Sequence, residues 1–476
     1  MASELLAAPP PKSSSDLSTT TTATTTSTAA NGTTTTTTIT TVSANGTTTT
    51  TTTTTVSTTT TTTCNAITAP ATSTAITAPA TSTATTISSL SGDDLRQIFL
   101  RLPDLPALGR AALTCRSWLG AVRSSPAFRR LFRSLHPAPL IGLFIELNGS
   151  TSPFFAPLRL PDYDVAAALR RGDFFLTSLP HSFSGWSVAD CRDGYILLWN
   201  RMDNNHLSLA TLNPMTWAVD ILPSPRGIAA ESRRNFSVAG FHLQSSDENP
   251  CFFRVICVCN DQRRVRAVIF SSETWDWVIH PWVDIGGNNS LKFKVGSLVD
   301  GSIYWPCHGE RRMIRINIDT MDITSVDLPG QVEVDGYIFQ AGNTKDGELC
   351  IVYESVFFLH VWIRSMDSDG TEIWAPQNIR NLSAEIDRTT HGITQDLHGF
   401  IKIMQVRSGY VHFSMTGMTP AGTQHCWFFS LSLETLKLDL LLEGKYDGYA
   451  YPYVMAWPPS LVADDGSIGH DAEGSH

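Results

Sequence analysis

Asp193-Gly194-Tyr195-Ile196-Leu197-Leu198-Trp199 pairs a tight-turn dipeptide with an apolar run too short for a helix, and the fold of this 476-residue chain follows from it. Asp-Gly supplies the positive φ angles of a two-residue hairpin, so the run reads as the second strand of an antiparallel pair whose first strand is 186–189. The pattern returns. Asp300-Gly301 leads into Ser302-Ile303-Tyr304-Trp305, Asp346-Gly347 into 349–353, Ser408-Gly409 into Tyr410-Val411-His412-Phe413, and Asn249-Pro250 into 252–258. About 19 to 26 residues after each turn comes a threonine turn, at Thr216, Thr274, Thr320, Thr371 and Thr435. Successive threonines lie about 46 to 64 residues apart, in the range of propeller blades.

Five units are complete, with first strands at 186–189, 236–241, 293–299, 337–340 and 401–406. A sixth first strand, 453–457, has nothing after it, while strands at 140–147 and 173–179 have no blade. Pairing the C-terminal strand with these N-terminal ones closes a ring of six blades and hides the sheet edges. The indoles of Trp199, Trp217, Trp275, Trp305, Trp362, Trp374 and Trp427 are expected to act as spacers between blades.

Ahead of the array the apolar period changes to that of helices. Ser91 stands three residues before Asp94 and can cap a helix in which Leu95, Ile98, Phe99 and Leu102 share one face. Pro103 ends it, and Asp104 with Pro106 starts a second helix carrying Leu105, Leu108 and Ala112. Cys115, Trp118, Leu119 and Val122 mark a third, and Ser125-Pro126 opens a fourth with Phe128, Leu131, Phe132 and Leu135. Four short helices bury little apolar surface by themselves, so the unit needs a partner or a neighbouring domain.

The order Leu90, Asp94-Leu95, Ile98-Phe99, Arg101-Leu102-Pro103, Leu108, Arg110, Cys115-Arg116-Ser117-Trp118 resembles the F-box, with Ser91 where that family usually has proline. The resemblance implies docking onto a Skp-family adaptor and, through it, a cullin scaffold. It carries the adaptor-binding role to Leu90, Leu95, Ile98, Leu102, Pro103, Leu108, Arg110, Cys115, Arg116, Trp118 and Leu119. Ile98, Phe99 and Leu113 could equally be internal core, and Arg129, Arg130 and Arg133 are expected to solvate outer faces. An alternative for this unit is a helix-turn-helix reader of DNA, its eight arginines set against phosphates. The array, in turn, is similar to the F-box-associated beta domain of the large plant F-box group, through Asn213-Pro214 with Leu222-Pro223 and through Tyr451-Pro452-Tyr453 with Trp457-Pro458-Pro459.

The flanks and the charge complete the outline. Residues 1–86 are dominated by Thr, Ser and Ala, with too few bulky apolar groups to offset an ordering entropy of about 1 to 2 kcal/mol per residue. The expected fold class is therefore multidomain α+β: a disordered tail (1–86), an all-α F-box domain (87–136), an all-β propeller (140–460) and a disordered C-terminal tail (461–476). Net charge is -10, and most carboxylates lie beyond residue 136. That balance disfavours nucleic acid and anionic membranes as partners. No signal peptide, no transit peptide and no membrane span is read, and nine scattered cysteines point to reduced thiols in the cytoplasm or nucleus.

No catalytic or metal constellation is found: there is no Gly-x-Ser-x-Gly elbow, no His-Glu-x-x-His, no Cys-x-x-Cys and no phosphate loop, and no cofactor is expected. Cys307-His308 is read as loop chance, and 365–371 as a degenerate Asp-box turn. The expectation is a non-catalytic substrate receptor of an SCF-type ubiquitin ligase, its target held by surface loops such as 309–312 and 417–424. The alternatives are a glycan-acting propeller enzyme, which needs two carboxylates about 5 to 9 Å apart, and an adaptor-binding scaffold without ligase activity.

Overall fold

The structure is a computed structural model of the whole chain. It describes 19–29, 32–42 and 48–58 and, between 90 and 462, all but 148–151, 160–161, 181–184, 201–206, 226–236, 246–251, 262, 287–295, 308–309, 331, 333–338, 370–371, 378–379, 391–399, 419–423 and 447–448. Two compact units result, Met1–Thr83 and Ala84–His476. Within the first, Thr19–Ala29, Gly32–Val42 and Thr48–Thr58 form a three-stranded antiparallel sheet, where composition alone predicts no order. β-Branched threonine suits a strand even where it supplies no apolar core.

The second unit begins with four short helices, α1 (Gly92–Phe99), α2 (Leu105–Ala112), α3 (Arg116–Arg123) and α4 (Pro126–Leu135). Their starts follow the caps read in the sequence. Ser91 Oγ accepts from Asp94 N at 3.2 Å while the Asp94 carboxylate accepts from Ser91 N, a reciprocal capping box. Asp104 accepts from Ala107 N at 2.8 Å, and Ser125 from Phe128 N at 3.2 Å.

Six antiparallel sheets follow, each a blade. Blade 2 runs Trp186–Arg192, Tyr195–Asn200, Ser208–Asn213, Ala218–Leu222. In the same order blade 3 spans 237–284, blade 4 spans 297–327, blade 5 spans 340–381 and blade 6 spans 400–444, the outermost strand of blades 3 and 5 being split in two (Asp276–Ile279 with Val283–Asp284, Glu372–Pro376 with Arg380–Asn381). Blade 1 is made of both chain ends: Tyr449–Val454 pairs with Leu140–Glu146, which pairs with Phe154–Pro157. The ring is thus closed by the C-terminal strand, as expected, with Tyr451 opposite Phe144 in the register. Each four-stranded meander ends at the face where it began, so all the inner strands run in one direction, from an entry face to a turn face.

The two-residue turns take the backbone that Asp-Gly and Ser-Gly favour: φ is 50° and 81° at Asp193-Gly194, 42° and 67° at Asp300-Gly301, and 50° and 77° at Ser408-Gly409. Three expectations are corrected. Residues 173–179 form turns, not a strand, because the Asp173 carboxylate accepts from the N–H groups of Thr177 and Ser178 and holds the segment in a loop. Trp217 and Trp275 do not separate blades. They sit at positive φ on the tips of hairpins, about half exposed, whereas Trp305, Trp362 and Trp427 are buried. The C-terminal boundary also moves, since Leu461 is fully buried and cannot belong to a disordered tail. The Asn249-Pro250 turn, His308, Gly370-Thr371 and most of the loop 417–424 lie outside the described residues.

Candidate functional site

The helical unit encloses a core of Leu95, Phe99, Leu105, Leu108, Ala112, Ala121, Val122, Phe128 and Phe132. Residues of the closing segment complete it: Trp457 and Leu461 are buried in the same cluster and Val462 packs on it. Phe132 meets the Trp457 ring edge-on at 6.1 Å, the Arg133 guanidinium stands 4.5 Å from that ring's centre, and Arg123 Nε donates to the Ser460 carbonyl at 2.7 Å. The need for a neighbouring domain is met by the protein's own C-terminus. Because that segment follows the end of the closing inner strand, and Met455 N donates to Pro139 O at 2.9 Å, both connections to the helical unit leave the propeller on its turn face.

The residues assigned to the adaptor divide into three groups. Leu95 and Leu108 are core. Leu90, Leu102, Trp118 and Leu119 are partly buried, Trp118 lying edge-on to Phe99 at 5.5 Å. Ile98, Pro103, Arg110, Cys115 and Arg116 face solvent, and so does Leu113, at 62% exposure. Of the three residues left between core and interface, Phe99 is core and Ile98 and Leu113 are not. Arg110 donates to Asp162 at 3.0 Å and to Asp164 at 3.1 Å, at the start of helix α5 (Tyr163–Leu169). The Val165 N–H, and after it the Arg110 guanidinium, hold the Asp162 carboxyl below its ordinary range. Arg129 is a correction. It is buried rather than solvated, and its Nη1 donates to the carbonyls of Val122 and Arg123, which end α3.

The inner strands surround a central cavity of about 480 Å³. Three of them carry a bulge, after Val188, Val238 and Ile403, that disrupts the ladder at the channel wall. Carboxylates of the neighbouring blade take up two main-chain N–H groups of the inner strands: Glu146 accepts from Val188 N, and Asp190 from Leu243 N at 2.8 Å. At the turn face Arg407 pairs with Asp193, which also accepts from Ser245 Oγ at 2.7 Å. Burial alone would raise the Asp193 carboxyl, but Arg407 and Arg192 outweigh it and hold it at about 2. Burial lowers His242 to about 4 against the opposing pull of Asp190, and burial with the Arg407 charge lowers His412 to about 4. Both imidazoles are therefore neutral at pH 7. Among the described residues no three His, Cys, Asp or Glu side chains are grouped to hold a metal ion.

Comparison with known proteins gives one family and several distant folds. No curated protein matches the chain. Solved structures similar to it include a protein from Lactobacillus plantarum (10% identity, 67% of this chain and 98% of that one, TM-score 0.37) and a putative 6-phosphogluconolactonase from Bacteroides fragilis (8%, 65% and 83%, 0.34). TolB from Acinetobacter baumannii is a third (8%, 91% and 81%, 0.36). Likeness at this level carries nothing about activity. Residues 187–461, more than half of the chain and five of its six blades, match the model described as F-box protein AT5G49610-like, beta-propeller. With the ring order, the closing strand and that match in agreement, the chain belongs to the F-box protein AT5G49610-like beta-propeller family.

Proposed function

We propose that this chain is the substrate receptor of an SCF-type ubiquitin ligase: its helical unit docks on a Skp-family adaptor, and through it a cullin scaffold, while its propeller holds the target. The observation that carries this reading is the helical unit itself. It bears the Leu102-Pro103 and Cys115-Arg116-x-Trp118 signature, leaves Ile98, Pro103, Leu113 and Cys115 facing solvent, and is fixed to a propeller of an F-box protein family. Exposed apolar side chains on so small a unit are the chemistry of a partner surface. Nothing in this role requires the chain to make or break a bond, since ubiquitin is transferred by other subunits.

Co-purification with a Skp-family adaptor tests it. Ile98 and Leu113 are exposed, so Ile98→Glu with Leu113→Glu leaves the helical core untouched while placing charge against an apolar partner, which costs at least about 2 kcal/mol. The wild type is expected to form a stoichiometric complex, and the double variant to bind more than tenfold more weakly at an unchanged melting temperature. A wild type that stays monomeric beside the adaptor ends the docking assignment. A complex that forms but supports no cullin-dependent ubiquitylation of any captured partner leaves an adaptor-bound scaffold in place of a receptor.

A further inference from the structure

The polar groups around the central cavity are unevenly satisfied. Its carboxylates are occupied by the protein: Asp190 accepts from the N–H groups of Cys191 and Leu243 at 2.7 and 2.8 Å, and Glu354 from Phe357 N at 2.6 Å. Arg192 is not. One of its Nη groups donates to the Leu298 carbonyl at 3.1 Å, but its Nε–H meets no hydrogen-bond acceptor, and the Asp190 carboxylate lies 4.0 Å away. His242, 6% exposed and also in the cavity wall, turns Nδ1 toward Asp190 at 3.9 Å and leaves Nε2 without a partner. Buried polar atoms left this way in a cavity wall call for a partner from outside the fold. Nearer the entry face, the Lys402 ammonium stands 3.0 Å from the centre of the Tyr449 ring, and Phe400 and Tyr449 are 82% and 47% exposed.

The cavity thus presents cations at two depths behind an aromatic rim. Lys402 lies near the start of its inner strand and Arg192 at the end of its own, a difference in depth along the strand direction of roughly 16 Å at about 3.3 Å per residue. The rim opens on the entry face, and the connections to the helical unit leave from the turn face. We infer that an extended acidic peptide of the target enters this cavity from the entry face, one carboxylate or phosphate accepting from Arg192 at depth and another meeting Lys402, with apolar neighbours against Phe400 and Tyr449. The inference rests on the receptor reading and gives its target a chemistry. A neutral His242 suits it, since Nε2 can accept a peptide N–H where a charged imidazole could not. The rim is what favours a peptide over a free anion.

The test uses the intact chain bound to its Skp-family adaptor and a fluorescent decapeptide pool built from Asp, Glu, Gly and Phe, against the same pool with Asn and Gln. The acidic pool is expected to bind at least tenfold tighter by anisotropy, and Lys402→Glu and Arg192→Gln each to weaken it at least tenfold. Lys402 is exposed, so its variant decides the matter if Arg192→Gln lowers the melting temperature. Equal binding of the two pools, or an unchanged affinity in Lys402→Glu, overturns the inference. So does inorganic phosphate or citrate binding as tightly as the peptide, because the ligand is then a free anion. Adaptor affinity is read on the same samples, so a failure of docking is seen separately from a failure of peptide binding.

Discussion

Gly194 shows how much one residue can carry. Its φ of 81° is a region that L side chains rarely adopt, and a Cβ there would stand 2.3 Å from the Cβ of Ala456, in the segment that leads to Trp457. Gly301 holds the same place in its own hairpin at φ 67°, yet a Cβ would meet only the Asp319 carboxylate, at 3.7 Å. Gly301→Ala is expected to cost about 1 to 2 kcal/mol from backbone strain. Gly194→Ala adds overpacking and is expected to cost about 2 to 5 kcal/mol. Thermal melts of the two variants compare them directly, and equal losses would show that the contact with Ala456 contributes nothing. The titration of His242 and His412 is a second residue-level matter. Both are held near 4 against an ordinary 6.5, so between these values the unfolded chain binds protons that the folded one does not. Stability is whole above pH 6.5 and falls as the pH drops toward 4, and a melting temperature flat from pH 7 to 4.5 would contradict the assignment. At this scale the turn dipeptides were readable because a positive φ restricts residue type. Trp217 and Trp275 were misread because side-chain size alone does not say which side of a turn a residue occupies.

The segment from Trp457 to Leu461 joins the propeller to the helical unit. It ends the closing blade and fills the helical core, so Leu461→Ala opens a cavity in a cluster that holds Phe99 and Phe132. A loss of about 2 to 5 kcal/mol is expected, together with weaker adaptor binding although residue 461 lies outside the docking surface. Unchanged adaptor affinity in this variant would mean that the helices hold their arrangement unaided. The four helices were visible in the sequence because their caps and apolar spacing agree, and the inner and second strands because they are continuous apolar runs. The outer strands escaped notice, being short and half solvated, as in Asp276–Ile279. So did α5 and the helix Ser383–Thr389, which bury one residue apiece, Val165 and Ile386. Periodicity identifies an apolar face, but which of its side chains the chain itself buries depends on tertiary packing: Leu95 is buried and Ile98 is exposed.

At the scale of the molecule, the inner strands share one direction, and the helical unit attaches where they end. A target bound at the entry face would be held away from the adaptor, across the depth of the ring. Removing residues 1–86 is expected to leave both the melting temperature and adaptor binding unchanged, because the core of each blade and of the helical unit is drawn from residue 95 onward. A large drop in the melting temperature of the shortened chain would refute this. The closing strand has a consequence in time. Glu146 waits for Tyr449, about 300 residues later, and at about 5 to 20 residues per second that interval is roughly 15 to 60 s of synthesis. During it the nascent chain carries an unclosed first blade and a helical unit lacking Trp457 and Leu461. A product terminated before residue 449 therefore has neither a closed first blade nor a complete helical core, and the two are finished within the same few residues of translation.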